Sequence, residues 1–255
     1  AAEEKLRKFS PIVIAITGSY GKTTTKDFIT QLLSAKYKVL STFKNENTHF
    51  GIVRRINSAL KKDHKFLVVE VGAYKKGEIK QIGEILKPSV GVITGIEPQH
   101  LELFGSFQNL KDAKFELVES LEKGGRAFFN LSKNSVSGFI ERTKDLNKNI
   151  NSYTYALNRK GNNDAFSKIT KIDDNGIVFD MMIEGGLISI KTNIRSVNLI
   201  ENLTGAILVA RVFGIGWDKI VEKCESLILP EGTLSIFKTQ NGITVIDDSY
   251  NASPS

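Results

Sequence analysis

The stretch Ile12-Val13-Ile14-Ala15-Ile16-Thr17-Gly18-Ser19-Tyr20-Gly21-Lys22-Thr23-Thr24-Thr25-Lys26 constrains the fold more than any other part of the chain. Its apolar, β-branched run reads as a buried strand, its glycines tolerate positive φ, and its threonines open a helix-like segment. Strand, turn and helix in this order aim backbone N–H groups and a helix N-terminus at one point, which suits an anion. Lys22 adds a mobile charge for terminal phosphates, and Thr23 adds a hydroxyl for Mg²⁺. The usual phosphate loop has its first glycine five residues before the second. Here that position is Ile16, inside the strand, so the pattern is the shorter T-G-x-x-G-K-T.

With 255 residues and 41% apolar content, the chain holds one large α/β domain or two small ones around a real core. Lys plus Arg exceeds Asp plus Glu by 35 to 28. The lysines are scattered, with no basic run interleaved with aromatics, which argues against a nucleic-acid partner. A single cysteine, Cys224, excludes an internal disulfide framework and CxxC zinc patterns, and reads as a core or half-buried residue of a late helix. No apolar run approaches the roughly 20 residues of a membrane span. Ala1 to Lys8 is a charged, helix-like stretch and not a signal peptide, so a cytoplasmic protein with no membrane partner is expected. That opening reads as a cut inside a longer chain.

Strand-like and helical runs alternate after the phosphate loop. A helix is expected over 22–36, strands at Val39–Thr42, Phe66–Val71, Val90–Thr94 and Arg126–Asn130, and helices at Arg54–Leu60, Ile79–Leu86 and Asn109–Glu122. Such alternation implies right-handed crossovers and a mostly parallel sheet with helices on both faces. Between about Tyr153 and Thr192 the texture changes. Phe166–Ile172, Ile177–Ile183 and Leu187–Lys191 are strand-like runs joined by Asp173-Asp174-Asn175-Gly176 and Glu184-Gly185-Gly186, which are hairpin turns of a small appended antiparallel sheet. Helical periodicity returns over Leu199–Phe213 and Trp217–Leu227, and a hairpin follows at Leu234–Lys238 and Ile243–Ile246.

In open parallel sheets ligands sit beyond the carboxyl ends of the strands. Glu70 ends the run Phe66-Leu67-Val68-Val69, where a carboxylate is costly unless paired or bound to metal. It suits Mg²⁺ as a hard oxygen ligand; the plainer alternative is a hydrogen bond to a neighbouring backbone or lysine. His100 lies in the loop after Val90–Thr94 and by itself reads as a loop or capping histidine. Lys114 shares a helix face with Leu110, Ala113, Leu117, Val118 and Leu121, whereas Lys111 is off it. An inward lysine either snorkels to the edge or has a lowered pKa that frees its amine for chemistry.

Several motifs together resemble the Mur ligase family of ATP-dependent amide ligases. They are Thr17 to Lys26, Val69-Glu70-Val71-Gly72-Ala73 with Gly77-Glu78-Ile79, His100-Leu101-Glu102 with Phe104-Gly105-Ser106, Ala113-Lys114 with Glu116, and Asp247-Asp248-Ser249-Tyr250-Asn251-Ala252. The resemblance covers the family's central, ATP-binding domain: residues 1–247, with 153–192 the appended sheet and 248–255 the start of a linker to a C-terminal domain. It implies ATP and Mg²⁺ as cofactors. Thr17, Gly18, Ser19, Tyr20, Gly21, Lys22, Thr23 and Thr24 would surround the phosphates, with Asn202 at the adenine and Asp248 and Asn251 where the chain closes on the nucleotide. Thr23 and Glu70 would hold one Mg²⁺ and His100 a second. Lys114 matches a lysine that CO₂ carbamylates into an anion near the metals, and Asn47 lies near the γ-phosphate. Lys22, Lys114, His100 and Asn47 are thus the implied catalytic positions. The departures are Thr48 where a second asparagine is expected, Asn198 in place of a histidine, and Thr233 in place of an arginine.

The terminal Asp-Asp-Ser-Tyr-Asn-Ala run favours the family branch that adds D-alanyl-D-alanine to a UDP-N-acetylmuramoyl-peptide through an acyl phosphate, by a monomeric enzyme that would also need its N- and C-terminal domains. A folylpolyglutamate or cyanophycin synthetase-like ligase, or a nucleotide-binding module without ligation, is the alternative.

Overall fold

The computed structural model describes residues 1–44, 46–98, 101–132, 134–158, 161–229, 235–238 and 243–247. The predicted α/β architecture is present. Strands β1 (Ile12–Thr17), β2 (Val39–Ser41), β3 (Phe66–Glu70), β4 (Val90–Ile93), β5 (Arg126–Asn130), β6 (Asn151–Leu157), β7 (Ala165–Asp173), β8 (Gly176–Ile183) and β9 (Gly186–Thr192) form one sheet in the order β2-β3-β1-β4-β5-β6-β7-β8-β9. Every pair from β2 to β7 is parallel, and β8 is antiparallel to both its neighbours. The hairpin strands expected over 153–192 are therefore present as a continuation of the main sheet. Asn151–Leu157, which runs into that span, belongs to the parallel part because it pairs with β5 from Arg126↔Asn151 to Asn130↔Tyr155. In the β8–β9 turn, Glu184 (φ 53) and Gly185 (φ 76) both occupy the left-handed region, as a hairpin whose twist matches its strands requires.

The sheet separates two apolar layers. On one face lie α2 (Lys22–Leu33), α8 (Val197–Val212) and α9 (Trp217–Cys224), packed on Ile14, Ile16, Val68, Val92 and Phe128. On the other lie α1 (Ala2–Phe9), α3 (His49–Ala59), α4 (Glu78–Leu86), α6 (Phe107–Glu119) and α7 (Gly138–Lys144), packed on Val13, Ala15, Val69 and Phe129. The central strands are buried on both faces, which is why they read as continuous apolar runs. Strand β8 alternates, with Ile177, Phe179, Met181 and Ile183 inward, because only one of its faces is covered. Helix α8 buries residues around its whole circumference, so its polar members stand out.

Caps move two helix starts from their expected positions. Thr48 accepts from Gly51 N at 3.4 Å and starts α3 at His49, not Arg54; Ser106 accepts from Asn109 N at 3.1 Å and starts α6 at Phe107, not Asn109. A short turn, α5 (Leu101–Phe104), precedes α6, and a separate antiparallel pair, β10 (Ser235–Lys238) with β11 (Thr244–Asp247), fits the last expected hairpin. Cys224 is buried in α9, where burial pushes its thiol up to about 12. Among the described residues no helix is long and apolar enough to cross a membrane.

Candidate nucleotide and metal site

Because β1 lies between β3 and β4, the loop Gly18–Gly21 leaves the sheet where crossovers part to opposite sides, the crevice that an open parallel sheet offers a ligand. The register Ile16↔Glu70 and Thr17↔Ile93 brings the ends of β3 and β4 beside it. Thr17 Oγ1 donates to Val71 O at 2.9 Å. Ser19 N donates to Gly95 O at 2.8 Å, while its hydroxyl donates to Glu97 O at 2.9 Å and accepts from Glu97 N at 3.0 Å. The loop has no room for side chains at its glycines. A Cβ on Gly18 (φ 154) would fall 2.1 Å from Thr94 Oγ1, and one on Gly21 (φ 74) would fall 2.5 Å from Asn202 Oδ1. Gly21 then caps α2, whose first residue is Lys22.

Glu70 is 3% exposed and organises the β3 side. Thr23 Oγ1 donates to its Oε2 at 2.7 Å, Asn47 Nδ2 donates to its Oε1 at 3.1 Å, and its own N–H donates to Thr42 Oγ1 at 3.1 Å. Asn47 is held in turn by Gly72 N donating to its carbonyl at 2.9 Å. Thr23 and Glu70 thus present a hydroxyl and a carboxylate side by side at the helix start. Hard oxygen donors in this small number fit Mg²⁺, which takes one or two carboxylates and completes its shell with phosphate and water.

Lys22 Nζ donates to Ser19 O at 3.0 Å; burial lowers its pKa, and the Glu70 carboxylate opposes that shift. Lys114 is 4% exposed on α6, with Nζ 5.9 Å from the Phe104 ring centroid. Its burial, with the charge of Lys22 adding, lowers its pKa to about 7, against the pull of Glu116, Glu78 and Glu70. Lys22, Lys114, Asn47 and Gly18 line one cleft of about 360 Å³, whose walls include Phe50, Tyr74 and Phe104. The wall carrying Tyr74 is fixed by two carboxylates. Glu78 accepts from Tyr74 N at 2.7 Å, and buried Glu116 accepts from Gly77 N at 2.7 Å and Lys80 N at 3.0 Å at the start of α4.

The predicted residues Thr17 to Thr24, Asn47, Glu70 and Lys114 come together around this cleft or its loop. Asn202 lies on α8, 6% exposed, with its amide against Gly21. His100, Asp248, Asn251 and Thr233 lie outside the described residues. Thr48 serves as the α3 cap, and Asn198 is exposed in the first turn of α8. Sequence reasoning passed over Thr94, Glu97, Asn130 and Glu201, which adjoin the phosphate loop from the β4 side. Asn130 carried a signal, being the polar end of an apolar strand, as did Glu201 in an apolar helix.

Fold and cradle together define a P-loop-type α/β domain. The chain belongs to the Mur ligase family: residues 16–210 match the Mur ligase middle domain. It is 30% identical over 241 residues to the UDP-N-acetylmuramoyl-tripeptide--D-alanyl-D-alanine ligase of Rickettsia prowazekii, covering 94% of this chain and 53% of that protein. Among solved structures, MurF from Acinetobacter baumannii superposes with a TM-score of 0.88 at 26% identity, over 99% of this chain and 54% of that one. The MurF ligase of Thermotoga maritima in complex with ADP gives a TM-score of 0.87 at 26% identity, over 99% and 56%. The chain spans about half the length of these relatives.

Proposed function

We propose that residues 1–247 form the central, ATP-binding domain of a cytoplasmic, monomeric ligase that joins D-alanyl-D-alanine to a UDP-N-acetylmuramoyl-peptide in peptidoglycan precursor synthesis. The observation that carries this reading is the Thr23–Glu70–Asn47 network, set beside Lys22 and opening on a cleft shared with buried Lys114. The names of the relatives and the ADP complex of one of them support the substrates and the nucleotide.

In this reading the loop amides of Gly18–Gly21 and the Lys22 ammonium bind the phosphates, and Lys22 spreads the charge of the γ-phosphoryl in transit. Thr23 and Glu70 would hold one Mg²⁺ and His100 a second, with carbamylated Lys114 near them; bound there, the ions would neutralise charge on the phosphate oxygens. Asn47 orients the peptide carboxylate. That carboxylate attacks the γ-phosphorus and ADP leaves; the dipeptide amine then attacks the acyl carbon, loses a proton and displaces phosphate. Asn202, Asp248 and Asn251 enclose the nucleoside end.

Calorimetry with Mg²⁺-ATP tests the site. Lys22→Ala should weaken binding by about 1.5–3 kcal/mol, the scale of hydrogen bonds to a charged group. Equal affinity in the two proteins overturns this placement. For the reaction, Lys114→Ala in the assembled ligase should lose amide formation and regain part of it with added short carboxylates, and full activity without them rejects the carbamate.

A further inference from the structure

On the β4 side of the phosphate loop, polar groups outside the cleft close a circuit. Asn130 is fully buried at the end of β5. Its Nδ2 donates to Thr94 O at 2.6 Å and to Glu201 Oε1, and its Oδ1 accepts from Ser132 N at 2.9 Å. Both amide hydrogens and the amide oxygen are therefore engaged. Thr94 carries the connection to the loop, its hydroxyl donating to Tyr20 O at 2.5 Å and its N–H to Thr17 O at 3.0 Å. Glu201 carries it the other way along α8, because the next residue is Asn202, whose amide rests on Gly21. The path returns to the loop from which it started.

Apolar packing alone leaves a degree of freedom that this circuit removes. Helix α8 meets the sheet and α2 through apolar side chains such as Ile200, Leu203 and Ile207. Those contacts set its distance but are non-directional and tolerate small slides and rotations. A buried amide is intolerant, since losing one partner leaves a polar group unsatisfied in a low dielectric. The Asn130 amide joins a strand end, the segment after β4 and the first turns of α8, so it fixes the rotation that puts Asn202 on Gly21.

We infer that Asn130 and Glu201 are positioning residues of the nucleotide site, acting through Thr94 and Asn202 to hold α8 and the phosphate loop in one register. This rests on the reading of the loop as an ATP site. The test measures Mg²⁺-ATP affinity and melting temperature for single and double variants of the chain. Glu201→Asp keeps the charge but withdraws the acceptor from Asn130, and should weaken binding about tenfold; Glu201→Gln retains an acceptor oxygen and should stay within about threefold of wild type. Asn130→Asp places an acceptor-only group opposite Thr94 O and Glu201, and should weaken binding at least as much as Glu201→Asp. Because Glu201 acts in part through Asn202, Glu201→Asp added to Asn202→Ala should weaken binding by clearly less than the product of the two single losses. Wild-type affinity in folded Glu201→Asp, or multiplying losses in the double variant, overturns the inference. If Glu201→Asp does not fold, a tenfold loss in folded Glu201→Gln overturns it instead. Absence of ATP binding by the wild type removes the nucleotide-site reading itself, whereas binding that all the variants share removes only this one.

Discussion

Replacing Lys114 by methionine should stabilise the protein, by an amount that shrinks as pH rises. The ammonium is buried on α6, has no hydrogen-bond partner among the described residues, and meets the Phe104 ring on one side. Its pKa falls from the ordinary lysine value of 10.5 to about 7 through burial first and the Lys22 charge second. Between these values the unfolded chain holds a proton that the folded chain has released. Stability therefore rises with pH through this window, and below pH 7 the whole penalty is present. At about 1.36 kcal/mol per pH unit, the full penalty is at most about 4–5 kcal/mol, and about 2–3 kcal/mol of it is relieved between pH 6.5 and 9. Methionine has a similar length, fills irregular space and carries no charge into the core. Urea unfolding of wild type and variant in CO₂-free buffer at pH 6.5, 7.5 and 9 isolates this group, because other titrations cancel between the two. We expect Lys114→Met to be more stable by about 3 kcal/mol or more at pH 6.5, with the gap shrinking by about 2–3 kcal/mol at pH 9. A variant no more stable than wild type at pH 6.5, or a gap independent of pH, would refute the argument that burial destabilises the charged amine here.

Gly18→Ala forces a Cβ to 2.1 Å from Thr94 Oγ1 at a φ of 154, and should lower stability by about 1–3 kcal/mol and abolish Mg²⁺-ATP binding; an unchanged melting temperature with normal binding contradicts the crowding. Thr23→Val removes the hydroxyl from Glu70 and should weaken ATP binding about tenfold with Mg²⁺ present but little without it, as calorimetry under the two conditions would register. Glu116→Ala leaves the Gly77 and Lys80 N–H groups at the start of α4 without their acceptor and should cost about 2–3 kcal/mol, with Glu116→Gln costing less; denaturant titration giving equal losses for the two would remove the role of the charge.

The parallel core was legible because burial on both faces makes β1, β3, β4 and β5 uninterrupted apolar runs. Strand β6 was not read as parallel, since its identity rests on its partners: Thr154 sits among apolar neighbours with its N–H and hydroxyl both donating to Asp164 Oδ2 at 2.7 Å, and the pairings with β5 and β7 make the segment part of the sheet. Helix α7 was missed for a different reason. It is seven residues long, opens on a glycine and buries only Phe139 and Thr143, too little periodicity to register before packing supplies it.

In the site, legibility followed how far each residue broke its local pattern. Glu70 breaks an apolar strand and Lys114 an apolar helix face, and each violation marks a polar group that local folding energetics disfavour. Asn130 and Glu201 break patterns too, but they and Thr94 come from β5, α8 and the segment after β4, far apart in sequence, so their connection exists only in three dimensions. The same reasoning explains why these groups gather at one end of the sheet. Along the central strands the parallel ladders use backbone N–H groups on both sides, which leaves few donors to meet a buried charge. At the carboxyl ends the chain leaves the ladders for loops and helix starts, and there Lys22, Lys114 and Asn47 line one cleft, with Glu70 bonded to Asn47 and Thr23 beside it. A ligand carrying phosphate meets the phosphate loop and the start of α2 at that end, so the parallel topology that makes the core also selects where the chemistry can sit.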